Sequence, residues 1–256
     1  MRSNATLNNI KKRQGELYDL SMAILDWLNY LKRVSAGDII EEASLKYPIT
    51  EYLERKGKYI CAQQVNHPVF QRKRLDIAWG KSRPKPDEEG DEKWSNYIEL
   101  KYAKHVNIRN VTDDLFRLYF VKKKHPRSHC YFLLFGEKVL FNANFQRTII
   151  EKEVVLKGPN GLTDKQEIEF KGESEQQFAH WFTLQPAEPL KKIRCNEQKT
   201  DSLYSDFLSR KKGSYIFRDE KFKKIKITFQ TRLTQRCSNT NAPAEFCVVI
   251  WEILLK

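Results

Sequence analysis

Three charged residues stand at strand-like spacing in the first half of the chain. Asp76 lies in the run RKRLDIAWG, and Glu99 and Lys101 stand two positions apart in the run WSNYIELKYAK. Side chains alternate between the two faces of a strand, so Glu99 and Lys101 point to the same face. If the two runs pair as a hairpin, Asp76 can join them there. Charges on a sheet face are costly to bury unless they meet each other or a metal ion.

Two carboxylates and an amine in this pattern suit metal-assisted hydrolysis of a phosphodiester. Mg²⁺ prefers oxygen ligands and keeps several waters, so Asp76, Glu99 and the Leu100 backbone carbonyl are its predicted ligands. The metal polarises the phosphate and lowers the pKa of its bound water. Lys101 would orient or deprotonate that water and offset the phosphate charge. The alternative is an ion-pair cluster that only stabilises a hairpin, and we prefer metal chemistry because buried ion pairs are poor stabilisers.

The segments around these residues predict a regular order of elements. Apolar residues at helical spacing predict an amphipathic helix over residues 15–34, after a frayed basic start. A helix, three strands, a second helix and a fourth strand follow over residues 39–57, 59–65, 69–80, 94–104, 106–127 and 128–136. Pro48 should kink or restart the first of these helices. The three strands suit an antiparallel meander, and the second helix then leads to a fourth strand in a mixed sheet.

Asp76 followed by Glu99-Leu100-Lys101 across a hairpin resembles the motif of the PD-(D/E)xK nuclease superfamily. The order αβββαβ over residues 38–136 is also that of the restriction-endonuclease-like core. Leu75 stands where the written motif has Pro. The resemblance implies an α/β (α+β) fold with a mixed sheet. It also implies a metal-dependent nuclease that hydrolyses phosphodiester bonds in DNA, with Mg²⁺ or Mn²⁺ as cofactor, in restriction, defence or repair.

A further acidic residue from the first core helix resembles the family's pattern. Glu42 is the preferred candidate, since it lies one turn before Lys46 on a helix that should pack on the sheet. Glu51 is the second candidate on the same helix. The ordinary interpretation of either residue is a solvated helical glutamate. The catalytic set predicted from the sequence is therefore Asp76, Glu99, Lys101 and Glu42.

The charge of the chain favours a polyanionic partner. The formal net charge is +13, and hydrophobic residues make up 40% of the chain, enough for a substantial core. Basic residues that cluster around the predicted site are candidate DNA-phosphate contacts: Arg72, Lys73, Arg74, Arg109 and Arg117. Such contacts set the register of DNA without specifying its sequence. Each of these residues taken singly is more often a solvated charge.

The C-terminal part has a different pattern. We divide the chain into residues 1–145, with the first helix and the nuclease-like core, and residues 146–256, a β-rich extension. Strands are predicted over residues 147–158, 166–172 and 178–186, a short helix over 202–213, and a hairpin from 222–233 and 245–255. The extension either forms a separate lobe or extends the first sheet as part of one compact body.

Other features of the chain concern its location and partners. Five cysteines without a CxxC pair argue against a disulfide framework or a zinc site. No run of apolar residues is long enough to span a membrane, and the N-terminus lacks an apolar signal region. A cytoplasmic protein is therefore expected, as a homodimer or with a partner subunit. The alternatives to a nuclease are a nucleic-acid-binding module of the same fold, catalytically weak or inactive, and a basic protein that binds an acidic partner.

Overall fold

The computed structural model describes residues 4–86, 92–106, 108–141, 152–157, 163–169, 193–194, 205, 207, 209, 216–219, 221–222, 229–238 and 245–255. The helices are α1 (Asn4–Arg33), α2 (Glu42–Arg55), α3 (Ile108–Lys124) and α4 (Lys138–Phe141). The strands are β1 (Ile60–Asn66), β2 (Arg74–Gly80), β3 (Asn96–Tyr102), β4 (His129–Glu137), β5 (Lys152–Lys157), β6 (Thr163–Glu169), β7 (Ile193–Arg194), β8 (Phe229–Ser238) and β9 (Phe246–Leu255).

A seven-stranded mixed sheet organises the protein, in the order β1-β2-β3-β4-β9-β8-β7. Strands β3 and β4 are parallel, and every other neighbouring pair is antiparallel. Helix α3 makes the crossover that a parallel pair requires. The predicted meander of three strands, a helix and a fourth strand is confirmed. Strands β5 and β6 pair with each other in a separate sheet.

Two hydrophobic cores cover the two faces of the sheet. On one face, α1 and α2 pack on Ile77, Ile98 and Leu100. On the other face, α3 packs on Ala78 and Tyr97. Because neighbouring residues of β3 point to opposite faces, its apolar residues divide between the two cores. The charged positions of β3 therefore sit within a strand that is covered on both sides.

The hairpin predicted near the C-terminus is confirmed and belongs to the same sheet. Strand β9 pairs with β4 through seven residue pairs, from Tyr131–Glu252 to Glu137–Phe246. Strand β8 then pairs with β9 on its other side. The β8–β9 hairpin thus extends the sheet that carries Glu99 and Lys101. None of the helices in the described part of the chain is long and apolar enough to cross a membrane.

Three details differ from the predictions. Helix α1 begins at Asn4 rather than near residue 15, because polar helix-forming residues extend it beyond its apolar stripe. Helix α2 continues through Pro48, since Leu45 and Ile49 on either side are buried. Strand β2 begins at Arg74 rather than residue 69. The predicted strand over residues 178–186, and most of the predicted helix over 202–213, lie outside the described residues.

Candidate active site

The site forms where β2 and β3 separate. The two strands pair at Ile77–Ile98 and at two further positions toward Trp79 and Asn96. Beyond Ile77 the backbone N–H of Leu100 donates to Asp76 Oδ2 at 2.9 Å. The Asp76 carboxylate thus takes the place of the backbone carbonyl that would accept this bond if the β2–β3 pairing continued. This bond fixes Asp76 beside β3, next to Glu99.

Asp76 is held by neighbours from three elements. Lys46 Nζ on α2 lies 2.8 Å from Asp76 Oδ1, and Gln64 Nε2 on β1 donates to the same oxygen at 3.3 Å. Burial alone would raise the pKa of Asp76. Its hydrogen bonds with Glu99, Lys46 and the Leu100 N–H outweigh burial and lower the pKa. Asp76 is therefore ionised at neutral pH.

Gln64 reaches Asp76 from an irregular position on β1. Its φ is +52°, in the left-handed region that residues other than glycine seldom adopt. The β1–β2 register is interrupted at this point, between the pairs Gln63–Ile77 and Val65–Leu75. The irregularity lies directly across from Asp76. Unusual backbone conformations of this kind cluster at functional sites, so this one adds to the evidence for a site here.

Glu99 is the most buried carboxylate of the cluster, with 1% of its surface exposed. Its Oε2 lies 3.2 Å from the Arg117 guanidinium, whereas its Oε1 is buried and accepts no hydrogen bond from the described residues. Burial raises the pKa of Glu99, and the charges of Asp76 and Asp114 raise it further against the opposing effect of Arg117. Asp76 and Glu99 therefore need a proton or another cation between them.

Lys101 lies between two carboxylates from the two packed helices. Its Nζ is 3.2 Å from Glu42 Oε1 on α2 and 3.1 Å from Asp114 Oδ2 on α3. Burial would lower the pKa of Lys101, but the charges and hydrogen bonds of Asp114 and Glu42 raise it instead. Lys101 is therefore a cation at neutral pH. This geometry favours a role in orienting and neutralising substrate over a role as general base.

The two candidate glutamates of α2 have different surroundings. Glu42 begins the helix, and its Oε1 accepts from the Tyr102 N–H at 3.3 Å as well as from Lys101. Glu51 forms an ion pair with Arg55 one turn later on the same helix. Glu42 is thus the residue that faces the cluster.

Arg117 joins the site through acidic partners. Its guanidinium contacts Glu99 and Asp114, and its NH1 donates to the Arg74 carbonyl at 3.2 Å. The buried ring of His67 is the neighbour of the Arg117 backbone, and it accepts at Nδ1 from the Val69 and Phe70 N–H groups. Nε2 of His67 lies 3.0 Å from the Arg117 carbonyl. Burial lowers the pKa of His67 to about 3, so the ring is neutral and donates from Nε2.

Sequence reasoning assigned these residues differently or missed them. Arg117 was predicted as a phosphate contact, and His67 was not among the predicted site residues. Lys46 and Asp114 were not predicted as members of the site. One available signal was the spacing of Asp114 and Arg117, three apart on a helix whose neighbours Val111 and Leu115 are buried. An acidic and a basic residue at that spacing, next to a stripe of buried residues, indicate charged side chains that point toward the core.

The other predicted nucleic-acid contacts lie at the same end of β2. Arg72 and Arg74 are exposed and flank Lys73, which is half-buried. Arg74 is two positions from Asp76 on β2, and its backbone carbonyl accepts from Arg117. The side chain of Arg109 lies outside the described part of the protein. Contact of these residues with DNA stays a prediction.

The donor set fits one hard cation. Four carboxylates and three cations make up the cluster, a formal balance of one negative charge: Glu42, Asp76, Glu99, Asp114, Lys46, Lys101 and Arg117. No three His, Cys, Asp or Glu side chains in the described residues form a metal-ligand group. Mg²⁺ needs only one or two carboxylates, because waters and substrate phosphates complete its shell. The adjacent Asp76 and Glu99, with the buried oxygen of Glu99, meet that requirement.

Comparisons with models of protein families, with curated proteins and with solved structures each returned no match to this chain.

Glu99→Gln should stabilise the metal-free protein at pH 8. The raised pKa of Glu99 means that its proton stabilises the fold below about pH 4.5, and that this stabilisation is lost as pH rises through the raised pKa. Glutamine removes the cost of the buried charge. We expect a gain of about 1 kcal/mol in the free energy of unfolding, or roughly 2–4 °C in melting temperature, that shrinks as the pH falls toward 4.

Glu54→Gln is the matched control, because Glu54 is exposed on α2. Its melting temperature should follow that of the wild type at both pH values. A Glu99→Gln protein that is less stable than the wild type at pH 8 would contradict the assignment of a strained carboxyl pair.

Arg117→Ala should destabilise the protein by about 3 kcal/mol, because it removes the cation that contacts buried Glu99 and one of the two cations that contact Asp114. Arg55→Ala also removes one arginine from an ion pair, with Glu51, but that arginine is exposed. We expect a loss of about 0.5 kcal/mol or less there. Urea denaturation measures both values, and equal losses would show that Arg117 does not neutralise the cluster.

Proposed function

We propose that this protein is a Mg²⁺-dependent nuclease that hydrolyses phosphodiester bonds, with DNA as its substrate. One observation carries the proposal: two adjacent carboxylates, Asp76 and Glu99, lie where two strands separate, beside a cationic Lys101. The Glu99 oxygen that accepts no hydrogen bond from the described residues gives this pair a reason to bind a cation.

The order of elements also supports the proposal. Helix α2, strands β1–β3, helix α3 and the parallel strand β4 follow the αβββαβ order of a restriction-endonuclease-like core. In that arrangement the acid of one strand and the Glu-x-Lys of the next come together at the edge of the β2–β3 pairing. We therefore propose this fold family together with the activity.

Each residue would have a separate role in hydrolysis. Asp76 and Glu99 would hold the metal, with the Leu100 carbonyl as a further ligand. The bound metal would polarise the phosphate and supply an activated water. Lys101, a cation at neutral pH, would orient that water and neutralise charge that develops on the phosphoryl oxygens. Glu42 would position Lys101, as would Asp114, since both contact its Nζ.

DNA is the proposed substrate because of charge. A net charge of +13 favours a polyanion, and Arg72 and Arg74 are exposed a few positions before Asp76 in the chain. Two positive residues there would contact phosphates that flank the cleaved bond. The metal supplies further positive charge at the centre.

Incubation of the protein with supercoiled plasmid and linear duplex DNA tests the proposal. Cleavage should occur in Mg²⁺ or Mn²⁺ and stop in EDTA. The same reaction with RNA distinguishes the substrate. Absence of cleavage on every DNA form, in both metals, would overturn the nuclease proposal.

One observation favours the alternative of a nucleic-acid-binding module without cleavage. Asp76 Oδ1 already has Lys46 at 2.8 Å and Gln64 at 3.3 Å, so its charge is compensated within the protein. If this closed ion pair persists in the presence of metal and DNA, the module binds without cutting. DNA binding without cleavage in the plasmid assay would favour this function.

A further inference from the structure

A polar groove lies along β1 beside the candidate active site. It has a volume of about 440 Å³ and is lined by β1 and by the segment that leads from β2 to β3. Its polar lining consists of Gln63, Gln64, Asn66, Arg74, Arg83 and Glu92. We call it the β1 groove. Strand β1 lies at one end of the sheet, so one of its edges pairs with no other strand among the described residues.

The β1 groove is continuous with the site through two residues. Gln64 lines the groove and also donates to Asp76 Oδ1. Arg74 lines the groove, and its carbonyl accepts from Arg117. A chain of phosphates that leaves the Asp76–Glu99 pair past these residues would enter the groove directly.

The side chains of the β1 groove suit hydrogen bonding rather than stacking. None of the described residues that line it is aromatic, so it offers no platform for unpaired bases. Amide side chains donate and accept together, which lets Gln and Asn contact base edges. Gln63 and Asn66 are exposed in the groove. This composition fits a duplex, whose bases present only their edges.

The charges of the β1 groove fit a phosphate backbone at its two ends. Arg74 is exposed at the end near Asp76, and Arg83 is exposed on the far wall. Glu92 lies 3.3 Å from Arg83 Nε and also accepts from the Trp94 indole at 3.1 Å. Trp94 is fully buried in the core, so Arg83 is anchored through Glu92. A preorganised arginine loses less freedom when it meets a phosphate.

We propose that the β1 groove binds duplex DNA next to the cleaved phosphodiester, with Arg74 and Arg83 on phosphates and Gln63 and Asn66 on base edges. The position of the cleaved bond rests on the proposed nuclease function, whereas the binding surface does not. The groove would then set which sequences are preferred, since amide contacts to base edges distinguish bases and arginine contacts to phosphates do not.

Fluorescence anisotropy in EDTA tests the binding surface without cleavage. The probe is a labelled duplex, compared with a single strand of the same sequence. Arg83→Ala should weaken duplex binding about 3- to 10-fold and lower the salt-dependence slope by about 1. Arg33→Ala, an exposed arginine at the end of α1, is the matched control and should leave the slope within error of the wild type.

Base reading is tested with a panel of duplexes of different sequence. The double substitution Gln63→Ala and Asn66→Ala should change the ratio of affinities for the best and worst duplex by about 10-fold. Gln14→Ala replaces an exposed glutamine on α1 and should leave the ratio unchanged. Thermal denaturation of each variant checks that folding is retained.

The outcomes separate the two proposals. Groove variants that bind every duplex as the controls do would overturn the β1 groove proposal, even if the wild type cleaves DNA. A single strand that binds more tightly than the duplex would also overturn it. Conversely, duplex binding that the groove variants lose, with no cleavage by the wild type in Mg²⁺, would refute the nuclease function and leave the groove assignment in place.

Discussion

Asp76→Asn lowers the rate of Mg²⁺-dependent DNA cleavage by about 10³-fold or more in our account. Asparagine keeps an oxygen that can accept from the Leu100 N–H, so the β2–β3 junction is preserved. It removes the charge that would bind the metal together with Glu99. The rate is measured under single-turnover conditions, with the protein in excess over DNA, so that slow product release does not hide the loss.

Asp26→Asn is the matched control, because Asp26 is exposed on α1, which packs on the apolar parts of the sheet. Its cleavage rate should equal that of the wild type. An Asp76→Asn protein that remains folded and cleaves at the wild-type rate would remove Asp76 from the catalytic set. Because Asn leaves Lys46 without its carboxylate partner, circular dichroism must accompany the rate measurement.

Lys101→Met should lower the cleavage rate by about 10²- to 10³-fold, with DNA affinity changed only a few-fold. Methionine retains the apolar stem of the side chain and removes the cation between Glu42 and Asp114. The loss should appear in the rate constant at saturating DNA, because the cation acts on charge that develops during the reaction.

Lys104→Met provides the control, three residues later and exposed. A second readout distinguishes catalysis from structure. The cleavage rate should rise with pH as the Asp76–Glu99 pair loses its proton. This rise should persist in Lys101→Met, since Lys101 is not the group that loses the proton. The raised pKa of Lys101 keeps it protonated through the neutral range. A rise with pH that disappears in Lys101→Met would instead identify Lys101 as the general base.

The stability and activity of this site oppose each other. Ionisation of Glu99 is costly because its side chain is buried and faces Asp76 and Asp114. A substitution that relieves that cost removes a proposed metal ligand. Functional sites commonly keep such destabilising groups, and the Glu99→Gln and Arg117→Ala predictions measure the cost in this protein.

The sequence was sufficient for the centre of the site. Alternation along β3 places Glu99 and Lys101 on one face, and the hairpin from β2 brings Asp76 to them. These three residues could be predicted from their types and spacing alone, without knowledge of contacts between distant segments. The parallel arrangement of β4 also followed, because a helix between two strands favours a crossover.

The rest of the site depends on packing between distant segments. Lys46 and Asp114 reach the cluster only because α2 and α3 pack on opposite faces of the sheet, an arrangement that no local pattern fixes. Pairing of β9 with β4 joins segments more than 100 positions apart, so the sequence left two arrangements open. The irregularity at Gln64 has no sequence signal, since glycine or asparagine is the usual residue at positive φ.

Binding of Mn²⁺ tests the central claim most directly, because electron paramagnetic resonance counts free and bound Mn²⁺ in one titration. We predict that the wild type binds Mn²⁺ in the presence of duplex DNA, and that Asp76→Asn lowers this affinity at least about 10-fold. Glu51→Gln, at a half-buried position on α2 that forms an ion pair with Arg55, should bind as the wild type does. Equal Mn²⁺ binding by the wild type and Asp76→Asn would contradict a metal site at Asp76 and Glu99.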